Sequence, residues 1–149
     1  MHADIESLTI RKINLETGEG IKECLCDCFI LTQTLMYIYN LKRAIHNVFR
    51  LLKPQGVVLI TCSGISPNAP SCQDTYGCYF NFNVDGLREL LRQEELCDTS
   101  LAIEVGSYGN VKTAVSHLAG LCKEDLQEND FFHNDPYYPV IVYAMARRR

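Results

Sequence analysis

Asp27-Cys28-Phe29-Ile30-Leu31-Thr32-Gln33-Thr34 and, some twenty residues on, Val57-Val58-Leu59-Ile60-Thr61-Cys62 are the two stretches on which the fold turns. Each holds a short apolar run, partly β-branched and aromatic and without polar alternation, which is the pattern of a strand covered on both faces of a sheet. Between them Asn40 is a good N-cap, Leu41, Ala44, Ile45, Val48, Phe49 and Leu52 recur at helical spacing, and Lys53-Pro54-Gln55-Gly56 supplies a stop. Strand, amphipathic helix and strand make a right-handed parallel crossover unit.

Outward from that unit, residues 63–82 carry glycines, prolines and polar side chains and predict a long surface loop, a length at which loops are often functional. Asn83 caps a predicted helix with Leu87, Leu90 and Leu91 on one side, and residues 101–105 read as a weaker strand near an edge. After Gly109 and Asn110, the residues Val111, Ala114, Val115, Leu118, Ala119 and Cys122 give the clearest helical periodicity in the chain. An acidic turn over 123–130, a bend at Asn134-Asp135-Pro136 and a last strand over 140–145 follow. Strands alternating with helices mean an α/β domain, and 149 residues, 47% of them apolar, suit one core and not two.

Lys and Arg number 14 against 18 Asp and Glu, a net charge of −4 that offers no basic face to a phosphate backbone. Nucleic acid is therefore not an expected partner. The apolar runs fall far short of the ~20 residues that cross a bilayer, and the acidic start is unlike a secretory signal, so no membrane role is expected and a cytoplasmic protein is. Cys24, Cys26 and Cys28 alternate on one face of an extended segment, and the other five cysteines lack pairing rhythm. Eight reduced, mostly buried thiols are expected, with Cys72 and Cys78 the most exposed; a cysteine-dependent metal or redox protein is the weaker alternative. His46 and His117 read as structural, His133 as a bend residue, Glu94-Glu95 and Glu124-Asp125 as solvated faces, Gly18-Glu19-Gly20 as a polar loop and Arg147-Arg148-Arg149 as a solvated tail.

The succession of Asp27 to Leu35, the helix with Leu51-Leu52-Lys53-Pro54-Gln55-Gly56-Val57-Val58-Leu59, Gly64-Ile65-Ser66, Gly109-Asn110-Val111, His117-Leu118-Ala119-Gly120-Leu121 and Asp135-Pro136-Tyr137-Tyr138-Pro139-Val140 resembles the second half of a class I S-adenosylmethionine-dependent methyltransferase of the type 11 group, over residues 8–147. Two departures stand out: Gln55 sits where the family usually has glycine, and Phe80-Asn81-Phe82-Asn83 where relatives tend to have Trp-Arg-Phe-Thr.

The resemblance implies a single domain over residues 1–149 with a truncated three-layer Rossmann-like fold, its sheet mostly parallel with an antiparallel last strand. The family's first strands, glycine-rich turn and ribose-binding acidic residue have no counterpart here. Ligands in such sheets bind beyond the carboxyl ends of the strands, where strand order reverses. The implied cofactor is S-adenosylmethionine, with Asn14 and Leu15, at the tail of a third family strand over residues 10–15, and Thr32, Gln33 and Thr34 beside it. Tyr37, Phe80 and Phe82, with Tyr39 at the rim, would face a small-molecule or carbohydrate-like acceptor.

In-line positioning supplies much of the rate of methyl transfer, so no catalytic side chain is required. The rival reading is a non-catalytic interaction module that pairs through its exposed sheet edge with a partner chain or with itself. If two or three of Phe29, Ile30 and Leu31 and their contacts lose their cover, the loss is ~4–8 kcal/mol at 1.5–3 per side chain. A chain so placed is expected to be marginal, to aggregate or to dock on another chain.

Overall fold

A computed structural model describes residues 12–67, 77–95 and 101–148. Cys72, Cys97, the start of the 10–15 stretch and Arg149 lie outside the described residues. Strand β1 (Cys26–Thr32), helix α1 (Leu41–Leu51) and strand β2 (Leu52–Ser63) form the expected crossover unit, with β1 and β2 parallel and Phe29 opposite Val58 and Leu31 opposite Ile60. Asn40 caps α1, its side-chain oxygen accepting from the Arg43 N–H at 3.2 Å. Helix α2 (Val84–Glu95) is capped by Asn83, which accepts from the Gly86 N–H at 2.6 Å. Strand β3 (Leu101–Tyr108), helix α3 (Val111–Leu118), a short helix α4 (Asn129–Phe132) and strand β4 (Ile141–Arg148) complete the order.

The sheet runs β1-β2-β4-β3, with β4 antiparallel to both neighbours. β1, β2 and β3 therefore point the same way, and the last strand is the reversed one, as expected. Leu31, Val58, Ile60, Cys62, Val142, Ala144 and Ala146 face α1 and α2 and share one core with Ala44, Ile45, Val48, Leu87 and Leu91. Both helices lie on that side because both crossovers travel the same way across the sheet, and right-handed steps in one direction land on one face.

This corrects the expectation of strands covered on both faces. The opposite row, Ile30 beside Leu59 beside Met145, is 65%, 39% and 36% exposed. The second helical layer of a three-layer fold would come from elements on the far side of β1, and none is among the described residues. Ile30 is bare, yet Leu31 is 5% exposed and Phe29 half-buried against the core, so fewer side chains lose cover than the sequence led us to expect.

Several further expectations change. β2 starts at Leu52, earlier than Val57, because Leu52 pairs with Cys26 and residues 53–56 loop out before Val57 pairs with Cys28. The cysteines do not share one environment: Cys24 precedes β1 with φ 52° and is exposed, Cys26 is half-buried and Cys28 exposed. β4 runs through Arg148, whose guanidinium donates to the Leu52 carbonyl at 3.3 Å, so Arg147 and Arg148 are strand residues and not a tail. Residues 12–15 form no strand, since the Asn14 side chain nucleates a turn by accepting from the N–H groups of Glu16 and Thr17 at 2.9 and 3.0 Å. Glu94 is largely buried against His46 at 3.2 Å, tying α2 to α1, and is not a solvated charge. The stripe of α3 points outward: Val111, Val115 and Leu118 are 52%, 60% and 54% exposed, and only Ala114 and Ser116 are buried.

Candidate functional site

β1 delivers Thr32 to the carboxyl end of the sheet, and the chain then leaves the strand through Gln33. Gln33 has φ 47°, a left-handed conformation that costs a residue with a side chain on the order of 1 kcal/mol. Its N–H donates to the Thr61 carbonyl at 2.8 Å, extending the ladder one residue past the strand while turning the chain aside. The Thr34 hydroxyl donates to the Thr32 carbonyl at 2.9 Å, closing the corner, and a 3-10 turn over Leu35–Tyr37 follows. Thr32 and Gln33 are exposed and Thr34 half-buried. They form one polar wall at the carboxyl end of β1, the strand that ends the sheet order among the described residues. Nothing in the local sequence signals the kink at Gln33.

The predicted acceptor aromatics gather beside this corner. The Tyr79 N–H donates to the Met36 carbonyl at 2.8 Å and the Phe82 N–H to the Ser63 carbonyl at 2.9 Å, laying residues 79–82 across the ends of β1 and β2. Phe80 stands 6.2 Å from both Tyr79 and Phe82, and Tyr79 meets the exposed Tyr39 edge-on at 5.4 Å. Tyr37 and Phe80 are half-buried, whereas Phe82 is 7% exposed and belongs to the core beneath them. Asn14 and Leu15 sit against α1: the Leu15 carbonyl accepts from Asn47 Nδ2 at 2.8 Å, and the Asn14 side-chain oxygen is spent on its own turn.

Thr32, Gln33 and Thr34 present hydroxyls and an amide at a strand's carboxyl end, groups that suit neutral hydrogen bonding to a ligand. The facing wall is not among the described residues. Nor, among those residues, do three His, Cys, Asp or Glu side chains converge as a metal would require. Cys62, buried in the core, has its thiol pushed up to about 12 by desolvation and is chemically inert. No helix of the described residues is long and apolar enough to cross a membrane.

At the same end of the sheet, beyond the last residue of β3, a cavity of about 320 Å³ opens beneath α3. Gly109 starts it. A Cβ there would meet the Val140 nitrogen at 2.6 Å and the Tyr138 oxygen at 2.7 Å, so the close approach of these backbones requires glycine. Asn110 then caps α3 by accepting from Thr113 N–H at 3.0 Å, while its Nδ2 donates to the carbonyls of Asp130 and His133 at 2.8 and 2.7 Å. His117, read from the sequence as structural, lines this cavity, as does Leu121.

No protein-family model and no curated protein sequence matches this chain. Solved structures do. An S-adenosylmethionine-dependent methyltransferase from Mesorhizobium loti aligns with TM-score 0.57 and 14% identity over 91% of this chain and 68% of that one. A SAM-dependent methyltransferase from Thermotoga maritima gives TM-score 0.54 and 13% identity over 87% and 59%. The plantazolicin methyltransferase BamL, in complex with a triazolic desmethylPZN analog and S-adenosylhomocysteine, gives 0.57 and 11% over 91% and 57%. The chain thus has the class I S-adenosylmethionine-dependent methyltransferase-like fold. It spans between 57% and 68% of the length of these structures.

Proposed function

We propose that this chain forms the acceptor-side half of an S-adenosylmethionine-dependent methyltransferase acting on a small molecule. The carrying observation is the corner at Thr32, Gln33 and Thr34: a strained left-handed residue at the carboxyl end of the parallel edge strand, beside the aromatic group of Tyr37, Phe80 and Tyr79. Strain of this kind persists where the surroundings over-determine it, commonly at ligand sites. The bound cofactor would supply a sulfonium methyl group for in-line attack. This chain's residues would hold the ribose or methionine portion through Thr32 and Gln33 and orient an uncharged or carbohydrate-like acceptor on Tyr37 and Phe80, with Phe82 fixing Phe80 from below. The opposing wall would come from further polypeptide. A cytoplasmic setting is part of the proposal, supported by six described cysteines that are all unpaired.

Calorimetric titration with S-adenosylmethionine tests the reading. Saturable binding that weakens in Gln33→Ala and Thr32→Val supports it, and heats unaffected by either substitution count against it. The second reading, a non-catalytic module that pairs through the edge of β1, is favoured by one observation, that β1 stands at the end of the strand order with β2 its one strand neighbour among the described residues. Self-association with no cofactor binding would select it.

A further inference from the structure

We propose that the cavity beneath α3 binds a small amphiphile: an apolar ring or short chain ending in an anionic group. At about 320 Å³ it sits at the lower end of the range of roughly 300–1,000 Å³ for small-molecule sites. Its lining concentrates large apolar side chains that are left half open to solvent, with Tyr108 61%, Leu121 50%, Phe131 48% and Ile141 41% exposed. Exposed apolar groups scattered singly are ordinary, but gathered round one concavity they mark a binding surface.

The polar lining sets the ligand's charge. Lys123 and His117 line the cavity, and no carboxylate does. Of the neighbouring acids, Asp125 accepts from the Cys122 N–H at 2.8 Å, Asp130 accepts from the Gln127 N–H at 2.9 Å and pairs with Lys112 at 2.6 Å, and Glu124 and Glu128 are exposed and lie outside the lining. An anionic head therefore meets Lys123. The site is also preformed. The Asn110 side chain bonds to the carbonyls of Asp130 and His133, Asn134 accepts from the Gly109 N–H at 3.0 Å, and Asn134 Nδ2 donates to the Ser107 carbonyl at 3.0 Å, so α3 and the 130–134 segment are fastened to the end of β3. Preformed concavities lose less on binding. The cavity shares no residue with the Thr32–Thr34 corner or with Tyr37, Phe80 and Phe82, and this inference stands whether or not the chain binds S-adenosylmethionine.

Cys122 lines the cavity and is exposed, which gives a direct readout at low protein concentration. With the full chain and 1-naphthaleneacetate as probe, alkylation by iodoacetamide, followed by mass spectrometry, should slow saturably at Cys122 and stay unchanged at the exposed Cys24 and Cys28. The neutral analogue 2-(1-naphthyl)ethanol should protect about fivefold more weakly, the scale of one exposed charge contact, and Lys123→Gln should erase that difference. Phe131→Ala should weaken both ligands together. Equal protection of Cys28 and Cys122 would mean general adhesion to the bare sheet face and overturn the proposal. So would the absence of saturation, or a carboxylate preference that survives in Lys123→Gln.

Discussion

Gln33 and Gln55 both sit in the left-handed region, at φ 47° and 66°, and the two differ in what they gain there. Gln55 occupies the outward loop between Leu52 and Val57, where its side chain is exposed and a glycine would serve the turn without strain. Gln55→Gly is accordingly expected to raise unfolding stability by about 0.5–1 kcal/mol in urea titrations, with the slope unchanged. Gln33→Gly should gain a similar amount, and under the proposed function it should also weaken S-adenosylmethionine in calorimetry, because the amide that contacts the ligand is gone. A gain in stability with cofactor affinity unchanged would remove Gln33 from the site. The departure at Gln55 was legible in the sequence because the position belongs to a local turn. The kink at Gln33 was not, because the bond that sets it comes from Thr61, far along the chain.

α3 shows what periodicity conveys at the scale of an element. The spacing of Val111, Val115 and Leu118 says that these residues share a face, and they do; it says nothing about whether another element covers that face. What anchors α3 lies at its start, in Gly109 and Asn110, and in the Lys112–Asp130 pair that ties it to α4. Gly109→Ala should therefore cost about 1–3 kcal/mol through forced displacement of the 138–140 backbone, read in the same urea titrations.

Hydrogen bonds from Lys112 and from the Gln127 N–H hold the Asp130 carboxyl below its ordinary 3.8. A depressed folded-state value stabilises above the unfolded pKa and is lost as pH falls through the folded one. Thr113 and Ala114 amides should exchange more slowly in wild type than in Asp130→Asn at about pH 6, and the difference should close as pH falls below 3.8 and through the lowered folded-state value, where the carboxylate takes up its proton. The absence of any gap at about pH 6 would assign the anchoring of α3 to Asn110 alone.

For the whole molecule the question is how much the uncovered face of the sheet destabilises it. The parallel pairing of β1 and β2 was readable from local patterns and the handedness of crossovers, whereas the reversed last strand and the place of the polar corner were legible only through the family resemblance. The missing layer was not readable as a two-sided difference, because the run over Phe29, Ile30 and Leu31 shows no alternation even though only Ile30 is bare. With one large side chain uncovered on β1, the deficit is ~1.5–3 kcal/mol, between a third and a half of what three or two would give.

The face is thus a reason to associate more than a reason to unfold. Sedimentation velocity should show concentration-dependent self-association of the wild-type chain. Ile30→Thr should reduce it while changing stability by no more than about 0.5 kcal/mol, whereas Leu31→Ala, on the covered face, should cost about 2–5 kcal/mol and leave association intact at concentrations where the chain stays folded. If the wild-type chain stays monomeric at every concentration, with slow amide exchange across Cys28–Thr32, the exposed row of Ile30, Leu59 and Met145 is not a docking surface, and the bare face must be tolerated by the fold itself.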